Sequence, residues 1–135
     1  MIEKSYMDIA IEDYETALDL RTLNRLNPCV KYIQQFVGKS LKHIVCLNGD
    51  PNDERLLGSH NVPVIAKRVE QILAVKYSKE DKQWFSILKG LYFNTSYPGD
   101  NYEEVDEERV DDALIWVKGF RVLIGQHQQK QQLQK

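Results

Sequence analysis

The chain has 135 residues, 42% of them apolar and 28% charged, with seven Gly and four Pro; this describes one ordinary globular domain and excludes long disordered linkers. Its 18 Lys and Arg against 20 Asp and Glu leave a net charge of -2, which excludes a broadly basic nucleic-acid face and makes any RNA contact local. Two cysteines, Cys29 and Cys46, are too few for a disulfide framework and lack the spacing of a zinc site, so they read as small buried hydrophobes in a reducing, cytoplasmic setting, with neither metal nor cofactor implied.

The first element runs from about Lys4 to Leu20, with Ala10, Tyr14, Ala17 and Leu18 on one helical face and Glu12, Asp13, Glu15 and Asp19 largely on the outer one. Acids every few residues make this segment neither a signal peptide nor a membrane span, and no apolar run elsewhere approaches a spanning length. Asn27 as N-cap and Pro28 in the first turn open a second helix to about Leu47, which ends at Asn48-Gly49. Within it Tyr32, Ile33, Phe36, Val37, Leu41, Ile44 and Val45 recur at three-to-four spacing. Gln34 and Gln35 lie beside Ile33 and Phe36, either at a helix or subunit contact, the reading preferred, or at a solvated edge. His43, on a cationic stretch with Lys39 and Lys42, reads as solvated.

The turn formers and charges from Asp50 to Ser59 predict a surface loop. Asn61 and Pro63 then open a helix whose Val62, Ile65, Val69 and Ile72 form a bundle seam. Ser78 with Asp81 resembles a capping box and starts a helix carrying Phe85, Leu88, Leu91 and Tyr92. After a break from Asn94 to Tyr102, Asp106 caps a last helix marked by Val110, Ala113, Val117, Phe120 and Ile124, with Glu107, Glu108, Asp111 and Asp112 at its start. The glutamine-rich stretch from Gln126 to Lys135 is expected to fray, which divides the chain into a bundle over 1–125 and a polar tail over 126–135. Nothing alternates with period two. The fold class is therefore all-α, an antiparallel up-and-down bundle of four to five helices.

No glycine-rich phosphate loop, paired-cysteine pattern or serine-nucleophile elbow is present, so candidate site residues are scattered. His60, in GSHNVP just before a helix start, is placed to project an imidazole into a groove, or else simply caps the turn. Arg121 and His127, five residues between them, have the chemistry of a phosphate clamp and a proton carrier in RNA cleavage. Along a helix, however, they fall about 120° apart. In TSYPGD, Pro98 holds Tyr97 extended and Gly99-Asp100 turns the chain, so Tyr97 and Asp100 either line a ligand site or pack on the bundle end.

Taken in order, these landmarks resemble the HEPN family, the higher eukaryotes and prokaryotes nucleotide-binding domain, over nearly the whole chain. YMDIAIEDYETALDL resembles its opening helix and YIQQFVGKSLKHIVCLNG its Gln-Gln helix; SHNVPVI stands where His-Asp-Leu is frequent, and LKGLYFNTSYPGD where Tyr and then Arg-Tyr-Pro are frequent. Three positions depart: Ser96 replaces the arginine before Tyr-Pro, Gly38 a glutamate, and Asn61 the aspartate after the histidine. Family members that are metal-independent ribonucleases carry an arginine, four to six residues and a histidine near the start of the last helix; here residues 97–112 hold Arg109 and no histidine. The resemblance implies a bundle that dimerises, nucleotide or RNA as ligand, and a minimal nucleotidyltransferase as partner, commonly as toxin and antitoxin. The resulting expectation is a non-membrane homodimer that binds rather than cleaves, with Tyr97, Asp100 and His60 as ligand contacts. The alternatives are an RNA endonuclease using His60 or the Arg121 and His127 pair, and a purely structural dimerisation module.

Overall fold

The computed structural model describes residues 4–48 and 53–134, with side chains as far as Gln128. Helix α1 (Tyr6–Thr22) opens on a capping box in which the Ser5 hydroxyl accepts the Asp8 N–H at 3.1 Å and the Asp8 carboxylate accepts the Ser5 N–H at 3.0 Å. It ends with Asn24 in the left-handed region at φ 57°, the Arg25 N–H returning to the Leu20 carbonyl at 2.8 Å and the Asn24 N–H to that of Arg21 at 2.9 Å. This pair of bonds satisfies the last carbonyls and turns the chain at once. Helix α2 (Leu26–Asn48) accordingly runs back along α1.

α2 begins before Pro28, and Asn27 is not its cap. The Asn27 side chain instead donates to the Glu103 carbonyl at 3.0 Å and the Tyr102 hydroxyl at 3.3 Å, and accepts the Val105 N–H at 2.9 Å. The stretch expected as a plain loop contains the single-turn α3 (Glu54–Leu57), stabilised by the Asp53 carboxylate accepting the Leu56 N–H. Gly49 and residues 50–52, the expected helix end and loop start, lie outside the described residues. The three later starts fall where local chemistry placed them: Asn61 caps α4 (Val62–Leu73), Ser78 caps α5 (Lys79–Asn94), and Asp106 accepts the Arg109 N–H at 2.8 Å as α6 (Glu107–Gln134) begins.

α2 is the hub, touching α1, α4, α5 and α6. Val30, Ile33, Val37, Leu41 and Val45 are all buried on it, and burial around most of a helix's circumference is what a central position requires. Across the hub runs an aromatic spine. Phe120 of α6 meets Phe36 of α2 edge-on at 6.4 Å and Phe85 of α5 at 5.8 Å, and stacks with Trp116 at 5.2 Å. The result is the expected all-α bundle, with five long helices, one short turn and no strand among the described residues. Among those residues no helix is long and apolar enough to cross a membrane.

Three side-chain expectations are corrected. Asp13 is buried rather than on the outer face, because it shares the stripe of Ala10 and Ala17 that packs on α2, where Lys39 meets its carboxylate at 2.6 Å. Leu18, one step round the helix from that stripe, is exposed. His43 is half-buried rather than solvated, and burial holds its imidazole below the ordinary value. α6 continues through the start of the glutamine-rich stretch to Gln134, and His127 is buried with Nε2 3.2 Å from the Tyr77 hydroxyl. Of the cysteines, Cys29 is buried, its thiol pushed up to about 11 by burial, whereas Cys46 is only half-buried.

Candidate functional site

Residues 34, 38 and 42 recur at intervals of four and so share one face of α2. That face meets the start of α4. The Gln34 amide nitrogen donates to the His60 carbonyl at 3.1 Å, which fixes the amide's orientation and leaves its oxygen buried without a partner among the described residues. A Cβ on Gly38 would stand 3.9 Å from the nearest Val62 methyl, an ordinary contact. Glycine is therefore not demanded by the backbone; its consequence is that no carboxylate faces α4 from this position. One turn further on, Lys42 is only 8% exposed. Its ammonium has no hydrogen bond or ion pair among the described residues, unlike Lys39, which is held by Asp13.

His60 stands just before α4, beyond the Gln34 contact. Its exposed ring stacks on Tyr92 of α5 with centroids 4.6 Å apart and planes 18° from parallel, and its Nε2 lies 3.5 Å from the Tyr92 hydroxyl. Burial, then the charges of Lys42 and Lys39, hold the imidazole below its ordinary value and favour its neutral form. Burial and next the neighbouring Tyr97 push the Tyr92 hydroxyl up. Tyr97 itself is 55% exposed and stacks on Phe93 at 6.3 Å. Together with Asp100 it lines a shallow side pocket of about 200 Å³, where Gly99 takes a φ of 146°. Thus His60 and Tyr97 meet through Tyr92, and Asp100 joins Tyr97; no hydrogen bond or ring contact links Asp100 to His60. Ser96, at the position of the family's arginine, contributes a buried hydroxyl with no partner among the described residues.

The Arg121 and His127 pair is not brought together. The Arg121 guanidinium lies 4.7 Å above the Tyr14 ring on the α1 side, whereas His127 points at Tyr77. Arg109 is exposed at the start of α6. Two residues beside His60 were not among the sequence candidates: Tyr92, which the spacing places with Phe85, Leu88 and Leu91 and which is buried, and Lys42, noted only as part of a cationic stretch. The four-residue steps from Gln34 through Gly38 to Lys42 were the available signal.

Chemically these residues offer a face-stacked ring pair, an imidazole biased toward its neutral form and an ammonium without an ion pair among the described residues. No group of three or more His, Cys, Asp or Glu among the described residues is placed to hold a metal ion. No curated protein and no solved structure matches the chain significantly. The model of the HEPN domain matches residues 4–126 of the 135. That span takes in all of α1 to α5 and most of α6, with Gln34, Lys42, His60 and Tyr92 inside it, and the chain belongs to the HEPN domain family, a nucleotide- and RNA-related helical domain.

Proposed function

We propose that this chain is a nucleotide-binding HEPN module that works as a homodimer, pairs with a minimal nucleotidyltransferase in a toxin-antitoxin-like system, and has no ribonuclease activity of its own. The observation that carries the ligand half is the His60 and Tyr92 ring pair beside Lys42. An exposed imidazole already held parallel to a phenol gives a base a rigid surface to stack on, and stacking tolerates any base because each has a π-face. The Lys42 ammonium supplies the charge that a phosphate needs, and a phosphate supplies the counter-ion that Lys42 lacks. Tyr97 and Asp100 then offer a hydroxyl and a carboxylate to the sugar or the base edge. The separation of Arg121 from His127 speaks against cleavage, since clamp and proton carrier must act on one phosphate. The dimer and the nucleotidyltransferase partner rest on family membership.

Titration calorimetry with a panel of nucleotides tests this reading. Wild-type protein gives saturable heat with at least one, and His60→Ala weakens it by about 1–3 kcal/mol, the usual worth of one stacked base. No heat with any nucleotide sinks the ligand half. Failure of a co-expressed minimal nucleotidyltransferase to co-purify sinks the pairing, and a monomer mass in light scattering sinks the dimer. RNA cut by the purified protein, with activity lost in His60→Ala or His127→Ala, would replace binding with the endonuclease reading.

A further inference from the structure

The side pocket at the end of α5 is walled by three rings that the bundle leaves uncovered. Phe93, Tyr97 and Tyr102 are 51%, 55% and 49% exposed, and all three line it together with Asp100. A single exposed ring is unremarked in any protein, but three around one cavity form a patch of the kind that a partner covers. The loop that carries them is tied down. The Tyr97 N–H returns to the Phe93 carbonyl at 3.2 Å, the Tyr102 N–H to the Gly99 carbonyl at 3.1 Å and the Glu103 N–H to the Asn94 carbonyl at 2.7 Å. From α2 the Asn27 amide holds the Tyr102 hydroxyl at 3.3 Å. The charge around the pocket has one sign. No lysine or arginine is among the described residues that line it, and Asp100 makes no ion pair among the described residues. The acids continue along the chain, since residues 100–112 hold eight Asp and Glu against Arg109 alone. Arg21 occupies Glu107 and Asp111, and Asp106 caps α6, whereas Glu103 and Glu104 are exposed and without an ion pair among the described residues.

We propose that this pocket docks an arginine side chain from a basic segment of a partner protein. The face of an aromatic ring attracts a cation. A guanidinium is planar and weakly hydrated, so it can lie on a ring while donating paired hydrogen bonds to a carboxylate. The three rings and Asp100 offer both halves of that contact. At about 200 Å³ the pocket is smaller than the usual small-molecule site of about 300–1,000 Å³, so it takes one side-chain end rather than a whole ligand. Glu103 and Glu104, just beyond it in the chain, give further basic residues of the segment something to meet, and the same acids repel a phosphate-bearing strand. This inference goes beyond the nucleotide reading. The two share Tyr97 and Asp100, but the arginine needs neither His60 nor Lys42, and Phe93 and Tyr102 are not among the nucleotide contacts.

The test is fluorescence anisotropy of a dye-labelled peptide of alternating glycine and arginine, at roughly 50 mM salt, where charges are felt beyond about 10 Å. Wild-type protein binds it saturably. The same peptide with citrulline, which keeps the shape of arginine and loses its charge, does not bind, and a lysine peptide binds more weakly because it lacks the planar fork. Phe93→Leu and Tyr102→Leu keep an apolar side chain and remove a ring face, so each weakens the arginine peptide about two- to fivefold. Asp100→Asn weakens it by up to about fivefold, an effect that fades as salt rises. Glu15→Gln, the same change of charge on the exposed side of α1, leaves binding as it is. Circular dichroism checks that each variant keeps its helices. No saturable binding, equal affinity for the citrulline peptide, ring variants that bind as wild type, or Glu15→Gln weakening binding as much as Asp100→Asn overturns the proposal. Free arginine binding as tightly as the peptide overturns it too, since the segment would then contribute nothing. Mononucleotide titrations keep the two readings apart: a wild type that binds the peptide but no nucleotide overturns the nucleotide reading only, and the reverse result overturns this one only.

Discussion

Lys42 and His60 form an electrostatic couple that can be followed in solution. An ammonium removed from water without a counter-ion is disfavoured, and the group responds by releasing its proton more readily. Lys42 shifts in that direction, through burial first and Lys39 second. Its remaining charge opposes a second one on His60, whose own shift is led by burial. Lys42→Ala should therefore raise the His60 pKa part of the way toward its ordinary 6.5 without restoring it, as followed by the imidazole proton shifts in an NMR titration. An unmoved His60 would place Lys42 away from the His60 ring. The sign for stability follows from linkage. A base whose folded value is depressed binds protons better when unfolded, so stability is intact above about 6.5 and declines as pH falls through the folded value. The lysine was not legible in the sequence because a Lys between Lys39 and His43 ordinarily faces water, and its burial depends on packing that the local sequence does not contain.

Helix starts were legible wherever the cap and the groups it satisfies lie within one turn. Ser78 and Asp81, Asn61 and Val64, and Asp106 and Arg109 are each three residues apart, so the sequence contains the entire interaction. Asn27 has the same side-chain chemistry and was misread, because its partners lie 75 to 78 residues further along. The single turn of α3 was missed for another reason: four residues are too few to show a period. In its actual role Asn27 ties the start of α2 to the connection leading from the Tyr97 loop into α6. Asn27→Ala should cost about 1–3 kcal/mol, since it leaves the Val105 N–H and the Glu103 carbonyl without their partner. Asn27→Asp, which keeps an acceptor for Val105 and loses the donor, should fall between variant and wild type. Urea unfolding of the three proteins checks the order, and a change in Asn27→Ala below about 0.5 kcal/mol, the scale of an ordinary surface substitution, would show that the tie is slack.

All five long helices hang on one core, and its periodic positions were the most legible part of the molecule. Val110, Ala113, Val117, Phe120 and Ile124 are each buried as their spacing required. Phe120 occupies the crossing point of this core, since α2, α5 and α6 contribute the rings around it. Truncating it to Ala removes a full ring from a site walled by other rings, which collapse poorly into the gap, so the expected cost is about 3–5 kcal/mol. Against a total of about 5–15 kcal/mol that is a large fraction. Phe120→Leu, which keeps most of the volume, should cost less than half as much. Trp84 and Trp116 stack within the same spine, so tryptophan fluorescence reports core packing while far-ultraviolet circular dichroism reports the helices. With a single core both signals change together in the variant as in the wild type. Two separated transitions would mean that α4 and α5 can open without α1, α2 and α6. Phe120 makes no ring contact with His60 or Tyr92, so the folded fraction of Phe120→Ala should bind nucleotide as tightly as wild type, with apparent affinity reduced only by the share of molecules unfolded.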